Sequence, residues 1–473
     1  MTRADAGAPP PSARLSFRHY RSSLPKSHPR RGRLDVYPAP YVRNPMRGSL
    51  NITSAIVDPA LLDLPWNRPL DTWPDDSIAA LPKGISRHLV RFVHLSGYVI
   101  AIKETSLELA RREYDMLRTL QRLDVPCVDP IAVITNRTDD DDEPLEAVLV
   151  TRHLKFSLPY RALYYQILRP ETATRLIDAL AVLLVRLHMI GFFWGDVSLS
   201  NTLFRRDAGA FAAYLVDDET GQLYNGLSNG QRENDLEIAR VNIAGELLDL
   251  AAGGRTDEAL DPVAVSDGIL AAYRTLWTEL TGSESFSSSE RWRISERVER
   301  LNNLGFDIEE LAIKTDDTGT QVRIQPKVVD AGHHSRRLLR LTGLDAQENQ
   351  ARRLLNDLDS YKATYKKRDL DEEMVAHEWL ATIFEPVVRA IPRELKGRLE
   401  PAEMFHQMLE HRWYLSQNES REVPLAEAVS SYIDNILRIR RDEATMINPP
   451  TGTFTMPIAV NDDDDVEDWR SRV

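Results

Sequence analysis

Gly191-Phe192-Phe193-Trp194-Gly195-Asp196-Val197-Ser198-Leu199-Ser200-Asn201 runs between a helical pattern and a hairpin pattern. Upstream, Leu176, Ile177, Leu180, Leu183, Leu184 and Leu187 form the broad apolar face of a helix expected over about Glu171 to Met189, with Gly191 as its stop. Downstream, a strand (Thr202 to Arg206), a turn (Asp207-Ala208-Gly209) and a second strand (Phe211 to Val216) lead to Asp217. A hairpin centred near Gly209 pairs position 201 with position 217. It brings Asn201 and Asp217 together at its open end, with Asp196 just upstream. Two oxygen ligands with a further carboxylate beside them suit a hard cation such as Mg²⁺, which usually keeps waters and substrate phosphates as its other ligands.

The elements before this stretch are equally regular. Arg87 to Leu95 is rich in β-formers, Ser96-Gly97 is a turn signal, and Tyr98 to Lys103 reads as the second strand of a hairpin. Leu107, Ala110, Tyr114 and Leu117 recur at helical spacing, and Leu123 to Pro130 breaks that helix. Ala132 to Thr135 and Ala147 to Thr151 read as two more strands, joined by the acidic loop Asp139 to Glu143. From Pro159 onward the pattern turns mostly helical.

Asp196 with Asn201 five residues later matches the D-x-x-x-x-N catalytic loop of protein kinases, and the lysine ending Tyr98-Val99-Ile100-Ala101-Ile102-Lys103 matches their third-strand V-A-I-K. The string from Gly195 to Asn201 most resembles RIO-type atypical kinases and lipopolysaccharide-kinase-like (Kdo/WaaP) proteins. This likeness covers about residues 81 to 250. The larger chain, from about Ile56 to Arg440, resembles an uncharacterised bacterial family, domain-of-unknown-function family 4032, which brings no established activity.

The resemblance implies an ATP and Mg²⁺ site. Phosphoryl transfer needs positioning and charge neutralisation more than covalent chemistry. Lys103 would hold the α- and β-phosphates, Asp196 would orient or deprotonate an acceptor hydroxyl, and Asn201 and Asp217 would hold Mg²⁺. The lysine's partner should be a glutamate on the following helix. Glu113 lies about 80° from the centre of the apolar face, Glu104 about 100° and Glu108 about 140°. Glu104 directly follows Lys103 and precedes the helix, so Glu113 is the choice.

The departures from the kinase pattern are specific. No G-x-G-x-x-G is present, and only Lys83-Gly84-Ile85-Ser86 precedes the first hairpin. Gly84 and Ser86, with backbone amides, are the expected cover for the phosphates. Trp194 stands where these families usually carry histidine, a place that Trp194 fills by packing or leaves without its role. Gly195 replaces an arginine, which argues against control by a phosphorylated activation loop. Ser198 stands where many protein kinases place a lysine, a feature shared with RIO-type kinases. Asp217 is followed by Asp218-Glu219 instead of Phe-Gly, and RIO-type proteins also drop that pair. Arg152-His153-Leu154 falls where a kinase hinge binds adenine through its backbone, so His153 reads as a packing or surface residue and His188 as a helix residue near the loop. Asp235, Glu237, Arg240 and Glu246, on an expected helix from Glu233 to Ala251, read as its polar face in preference to a brace for the loop.

Past about residue 230 the likeness weakens. Gly253 to Asp261 and the serine-rich run Ser283 to Ser289 read as linkers, and helices dominate from about Ser289 to Arg440. Glu290 to Leu304 and Asp345 to Tyr361 are amphipathic, and Val322 to Val329 reads as a strand. His333-His334 with Arg336, Arg337 and Arg340 is a basic cluster, extended by Arg352 and Arg353. It reads as a helix face paired with carboxylates sooner than as a phosphate grip. No Cys/His cluster has zinc spacing.

The chain's 473 residues and 42% hydrophobic content allow two or three domains with real cores. A formal net charge of −13 argues against nucleic acid as a general partner. The single cysteine, Cys127, forms no intrachain disulfide, and no transmembrane helix or secretory signal stands out, so a cytoplasmic location is expected. Residues 1–48 read as a disordered basic arm and 446–473 as a disordered acidic tail. Between them the expected fold is α+β: a protein-kinase-like two-lobe domain (56–155 with the hinge, then 156–260) followed by a mostly helical domain (289–440). The expected activity is phosphorylation of a hydroxyl on a small molecule, glycan or protein. The alternatives are a nucleotide-binding pseudokinase serving as scaffold or regulator, with a protein partner at the helical domain, and transfer of AMP.

Overall fold

The computed structural model describes residues 49–56, 58–74, 89–164, 170–254, 260–316, 320–440 and 443. The basic arm, the acidic tail and the segment holding Gly84 and Ser86 lie outside the described residues.

The first lobe comprises β1 (Asn51–Ser54), β2 (Val90–Leu95), β3 (Tyr98–Thr105), α1 (Leu107–Arg122), β4 (Pro130–Thr135) and β5 (Ala147–Arg152). The strands form an antiparallel sheet in the order β1-β4-β5-β3-β2. Leu95 pairs with Tyr98, so Ser96-Gly97 is a two-residue turn, and both residues take the positive φ that a twisted hairpin requires. Ser106 caps α1 by accepting from Leu109 N, and Ala110, Tyr114, Leu117 and Leu120 are buried along one face. Alternate residues of β5 serve the two faces: Ala147 and Leu149 share a core with α1, Val148 and Val150 the opposite one. That opposite face is covered by Leu61 and Leu70 from two short 3₁₀ turns, Pro59–Asp63 and Leu70–Thr72, and by Trp66 and Trp73 that follow them. Arg137 is fully buried beneath them. Its guanidinium donates to the carbonyls of Trp66, Arg68 and Glu146 and to the Glu104 carboxylate.

The second lobe carries β6 (Ser157–Pro159), α2 (Tyr160–Tyr164), α3 (Pro170–Met189), β7 (Phe192–Phe193), β8 (Thr202–Asp207), β9 (Ala210–Leu215), β10 (Gln222–Leu223), α4 (Asn229–Ala252) and α5 (Pro262–Thr281). α3 packs against β9 and α5, and its leucines lie in a core shared with α1, α4 and α5. Gly191 stops α3 with φ 85°, and a Cβ there would meet Tyr224 O at 2.2 Å. The β8–β9 hairpin is tighter than expected. Asp207 pairs with Ala210, leaving Ala208-Gly209 as a two-residue turn with φ 50° and 81°. Position 201 therefore sits opposite 216, not 217, and Val216 N donates to Asn201 O at 3.0 Å. The physical reason lies outside the hairpin: the turn is held by Glu403, which accepts from Ala208 N at 2.8 Å.

The chain continues through β11 (Glu284–Ser287), α6 (Trp292–Asn303), β12 (Phe306–Thr315) and β13 (Gln321–Ala331), whose strands form a sheet in the order β11-β13-β12. The serine-rich run read as a linker thus holds a paired strand, Glu284–Ser287, with Phe286 buried on it against Val322 and Ile324, and a 3₁₀ turn, Ser288–Glu290. Six helices follow: α7 (His333–Thr342), α8 (Glu348–Thr364), α9 (Glu372–Trp379), α10 (Glu385–Ala390), α11 (Pro401–Glu419) and α12 (Leu425–Asn435). They enclose a separate core built around Leu354, Leu358, Trp379, Phe384, Phe405 and Tyr432. Three residues of the basic cluster on α7 are paired with carboxylates, as expected of a helix face. His333 and Arg336 meet Asp307, and Arg337 meets Glu372.

These helices dock on the tip of the β8–β9 hairpin through buried polar contacts. Asp207 accepts from Asn349 N, Asn349 Nδ2 and Gln350 N at the start of α8. Arg205 pairs with Glu400 at 2.5 Å and Arg206 with Glu443 at 2.9 Å. The whole is a two-lobed α+β unit followed by a mostly helical region. Among the described residues, no helix is long and apolar enough to cross a membrane.

Candidate active site

β3, α1 and the hairpin converge at the junction of the two lobes. Lys103, near the end of β3, places Nζ 3.0 Å from Glu113 Oε2 on α1 and 2.9 Å from Asp217 Oδ2 just past β9. Glu219 lies 3.8 Å away. Of the three glutamates considered for this partnership, the structure pairs Lys103 with Glu113, while Glu104 is held by Arg137 at 2.6 Å. Burial opposes the Lys103 charge, but the Glu113 and Asp217 carboxylates outweigh it and hold the ammonium well above its usual range. Burial and the Asp217 charge push the Glu113 carboxyl up to about 7, against the pull of Lys103.

Asp218 is 1% exposed, and among the described residues neither of its carboxylate oxygens has a hydrogen-bond partner. Burial, with Glu113 and Asp217 nearby, raises it well above the carboxylate range. It lies beside a site already rich in negative charge.

Asp196 and Asn201 occupy the loop between β7 and β8. Asn201 Nδ2 donates to Asp196 O and to Asp196 Oδ2, both at 3.1 Å. Its amide nitrogen is thus committed to the aspartate, which leaves its carbonyl oxygen for another partner. Asp217 Oδ1 accepts from Glu219 N at 3.1 Å, and each of its oxygens retains lone pairs. One carboxylate and one amide carbonyl, at the root of a single hairpin, fit an octahedral cation that completes its shell with water and phosphate. Among the described residues no group of three or more His, Cys, Asp or Glu could hold a metal by itself.

The loop is bolted down from below. Asp235, fully buried on α4, accepts from Trp194 N and Gly195 N at 2.8 Å each and meets His188 Nε2 at 3.1 Å. His188 Nδ1 in turn meets Tyr273 Oη at 2.7 Å. Glu246 accepts from Leu199 N at 2.7 Å and Ser200 N at 3.0 Å. Asn242 Nδ2 donates to Asp196 Oδ1 at 3.1 Å. The sequence reading of α4 as a polar face is corrected for Asp235 and Glu246, which brace the loop. It holds for Glu237 and Arg240, which pair with each other on the surface. Asn242 carried no sequence signal that was recognised. The signal existed: residues 235, 242 and 246 lie within about 40° on a helical wheel, at one edge of the face buried by Leu236, Ala239, Ile243 and Leu247.

Trp194 fills its place by packing and by bonding. It is fully buried, and its Nε1 donates to Asp217 O at 2.9 Å, tying the loop to the hairpin's far end. Thr220 Oγ1 donates to Trp194 O at 2.7 Å. At the hinge position, His153 is buried against Phe92, and burial pushes its imidazole down to about 4. His153 N donates to Val99 O at 2.9 Å.

Comparison with known proteins finds similarities in two separate parts of the chain. Residues 100–241 match the model of the lipopolysaccharide kinase (Kdo/WaaP) family, and residues 275–437 match that of the domain of unknown function DUF4032. The matched kinase segment contains Lys103, Glu113, Asp196, Asn201 and Asp217. Among solved structures the chain matches WaaP in complex with acyl carrier protein, at 16% identity and TM-score 0.31, over 48% of this chain and 89% of that one. No curated protein matches.

Proposed function

We propose that the chain is an ATP- and Mg²⁺-dependent phosphotransferase that acts on a hydroxyl of a small molecule, glycan or protein. The observation that carries this reading is Lys103 bound at once to Glu113 of α1 and Asp217 of the hairpin, which ties both lobes to one ammonium. Lys103 binds the α- and β-phosphates, and Glu113 fixes its position. Asn201 and Asp217 offer a carbonyl and a carboxylate oxygen to Mg²⁺. Asp196 accepts the hydrogen of the incoming hydroxyl and aligns its oxygen for attack. When bound, MgATP supplies the phosphoryl group and the metal charge that neutralises it. The match of residues 100–241 to the lipopolysaccharide kinase family supports the reaction class.

The test is MgATP turnover by the purified chain beside Lys103→Ala, Asp196→Asn and Asp217→Ala, with modified products weighed by mass spectrometry. Turnover sharply reduced in all three variants, to a small residual in Asp196→Asn, with phosphate added to the acceptor, is the expected result. Addition of AMP replaces the reading with nucleotidyl transfer. Nucleotide binding that needs Lys103 and Asp217, without turnover, replaces it with a pseudokinase that works as a scaffold or regulator.

A further inference from the structure

Asp196 is the group on which the proposed chemistry depends, and it does not stand alone. A carboxylate at the end of a short side chain has two soft torsions, so its direction is set by what its oxygens touch. Here each oxygen is taken by a different amide. Asn201 Nδ2 donates to Oδ2 at 3.1 Å from within the loop. Asn242 Nδ2 donates to Oδ1 at 3.1 Å from α4. The same Asn242 nitrogen also donates to Val197 O at 3.2 Å, so one amide holds the aspartate's side chain and the backbone of the following residue together.

The scaffold behind Asn242 is rigid. One turn and more on either side, Asp235 and Glu246 on the same helix grip four backbone N–H groups of the loop. Ile243 beside it is fully buried, which fixes the helix in rotation. Asn242 differs from these two carboxylates in what it does: they satisfy backbone, whereas it alone on α4 reaches the Asp196 carboxylate. An amide can do this where a carboxylate could not, because it donates and carries no charge that would repel Asp196.

We propose that Asn242 is a positioning residue for the phosphotransfer reaction: it fixes the Asp196 carboxylate so that a lone pair faces the acceptor hydroxyl. This rests on the phosphotransferase reading above. Asn242 touches neither nucleotide phosphates nor Lys103 in this assignment. Its removal therefore acts on turnover and leaves nucleotide affinity alone.

The experiment is a double-mutant cycle on the full chain, reading basal hydrolysis of MgATP, in which water stands in for the acceptor hydroxyl. Asn242→Leu keeps the shape and removes the donor. Asn242→Asp keeps the shape and puts a charge against Asp196. Each is made in the unaltered chain and in Asp196→Asn, with thermal unfolding and the affinity for a fluorescent ATP analogue measured alongside. Loss of one hydrogen bond to a charged group corresponds to about a ten- to hundredfold fall in kcat. The expected result is that fall in the unaltered background, with nucleotide affinity within about twofold, and less than about a twofold effect once Asp196 is Asn. Equal losses in both backgrounds, or a loss that follows nucleotide affinity, overturn the assignment in favour of a purely structural asparagine. Turnover that Lys103→Ala abolishes but both Asn242 variants spare overturns the Asn242 proposal alone. Absence of turnover in the unaltered chain overturns both readings.

Discussion

Replacing Asp235 with alanine removes one carboxylate and strands three donors. Trp194 N and Gly195 N lose acceptors at 2.8 Å, and His188 Nε2 loses one at 3.1 Å. Asp235 is fully buried, so bulk water does not replace it. An unsatisfied buried donor costs about 1–3 kcal/mol. Three of them, with one water admitted to the vacated space, put the loss at about 4 kcal/mol. Asp235→Asn keeps one acceptor oxygen and turns the other into a donor facing donors, for a loss of about 2 kcal/mol. Glu237→Ala, two positions along the same helix, serves as the control, because its carboxylate is exposed and, among the described residues, bonds to Arg240 on the surface. Urea denaturation followed by far-ultraviolet circular dichroism measures all three. The expected order is Asp235→Ala, then Asp235→Asn, then a Glu237→Ala indistinguishable from the unaltered chain. A loss below about 1 kcal/mol for Asp235→Ala, or one no larger than that of Glu237→Ala, would refute the claim that α4 braces the loop.

Three more outcomes follow from buried polar groups. Asp218→Leu stabilises the fold by about 1–3 kcal/mol near neutral pH, since it removes an unpartnered buried carboxyl. The native carboxyl is raised, so its contribution is full below the unfolded value and lost as pH rises through the raised one. The gain in Asp218→Leu therefore grows with pH, and thermal unfolding at pH 5 and pH 8 reads it. His153 is depressed to about 4, so the stability it allows is present above its unfolded value near 6.5 and is lost as pH falls toward 4. Urea midpoints across that window should show a decline of about 3 kcal/mol that His153→Leu abolishes. Asp207→Ala frees Asn349 N, Asn349 Nδ2 and Gln350 N at the start of α8. It should cost about 3 kcal/mol by urea denaturation, and an unchanged midpoint would mean that the helices hold the hairpin by other contacts.

Much of the first lobe was legible because its strands are short, alternate cleanly and are divided by turns whose residues have one conformational purpose. Ser96-Gly97 is such a turn, and the Lys103–Glu113 pair follows from strand end and helix phase together. The β8–β9 hairpin was legible as a hairpin but not in register. Ala208 gives no sign of adopting positive φ, and it does so while donating its N–H to a glutamate 195 residues away. β12 escaped notice for a local reason. A register shift between Ile308 and Leu311 interrupts the alternation that joins Phe306 and Ile308 to Leu311 and Ile313. From the sequence alone Asp235 and Glu246 read as a polar face, because a polar residue on an amphipathic helix is usually solvated. Only the loop laid across α4 tells these two from Glu237.

The β8–β9 hairpin has a root and a tip, and different parts of the chain own them. Asn201 and Asp217 stand at the root, while Asp207, Arg205 and Arg206 at the tip are gripped by α8, Glu400 and Glu443. Six residue pairs of antiparallel ladder join the two ends, a strut of roughly 20 Å that bends far more easily than its strands slide past one another. The ladder therefore holds the two strands in register, and Asn201 and Asp217 keep their spacing under any load that the helical region puts on the tip.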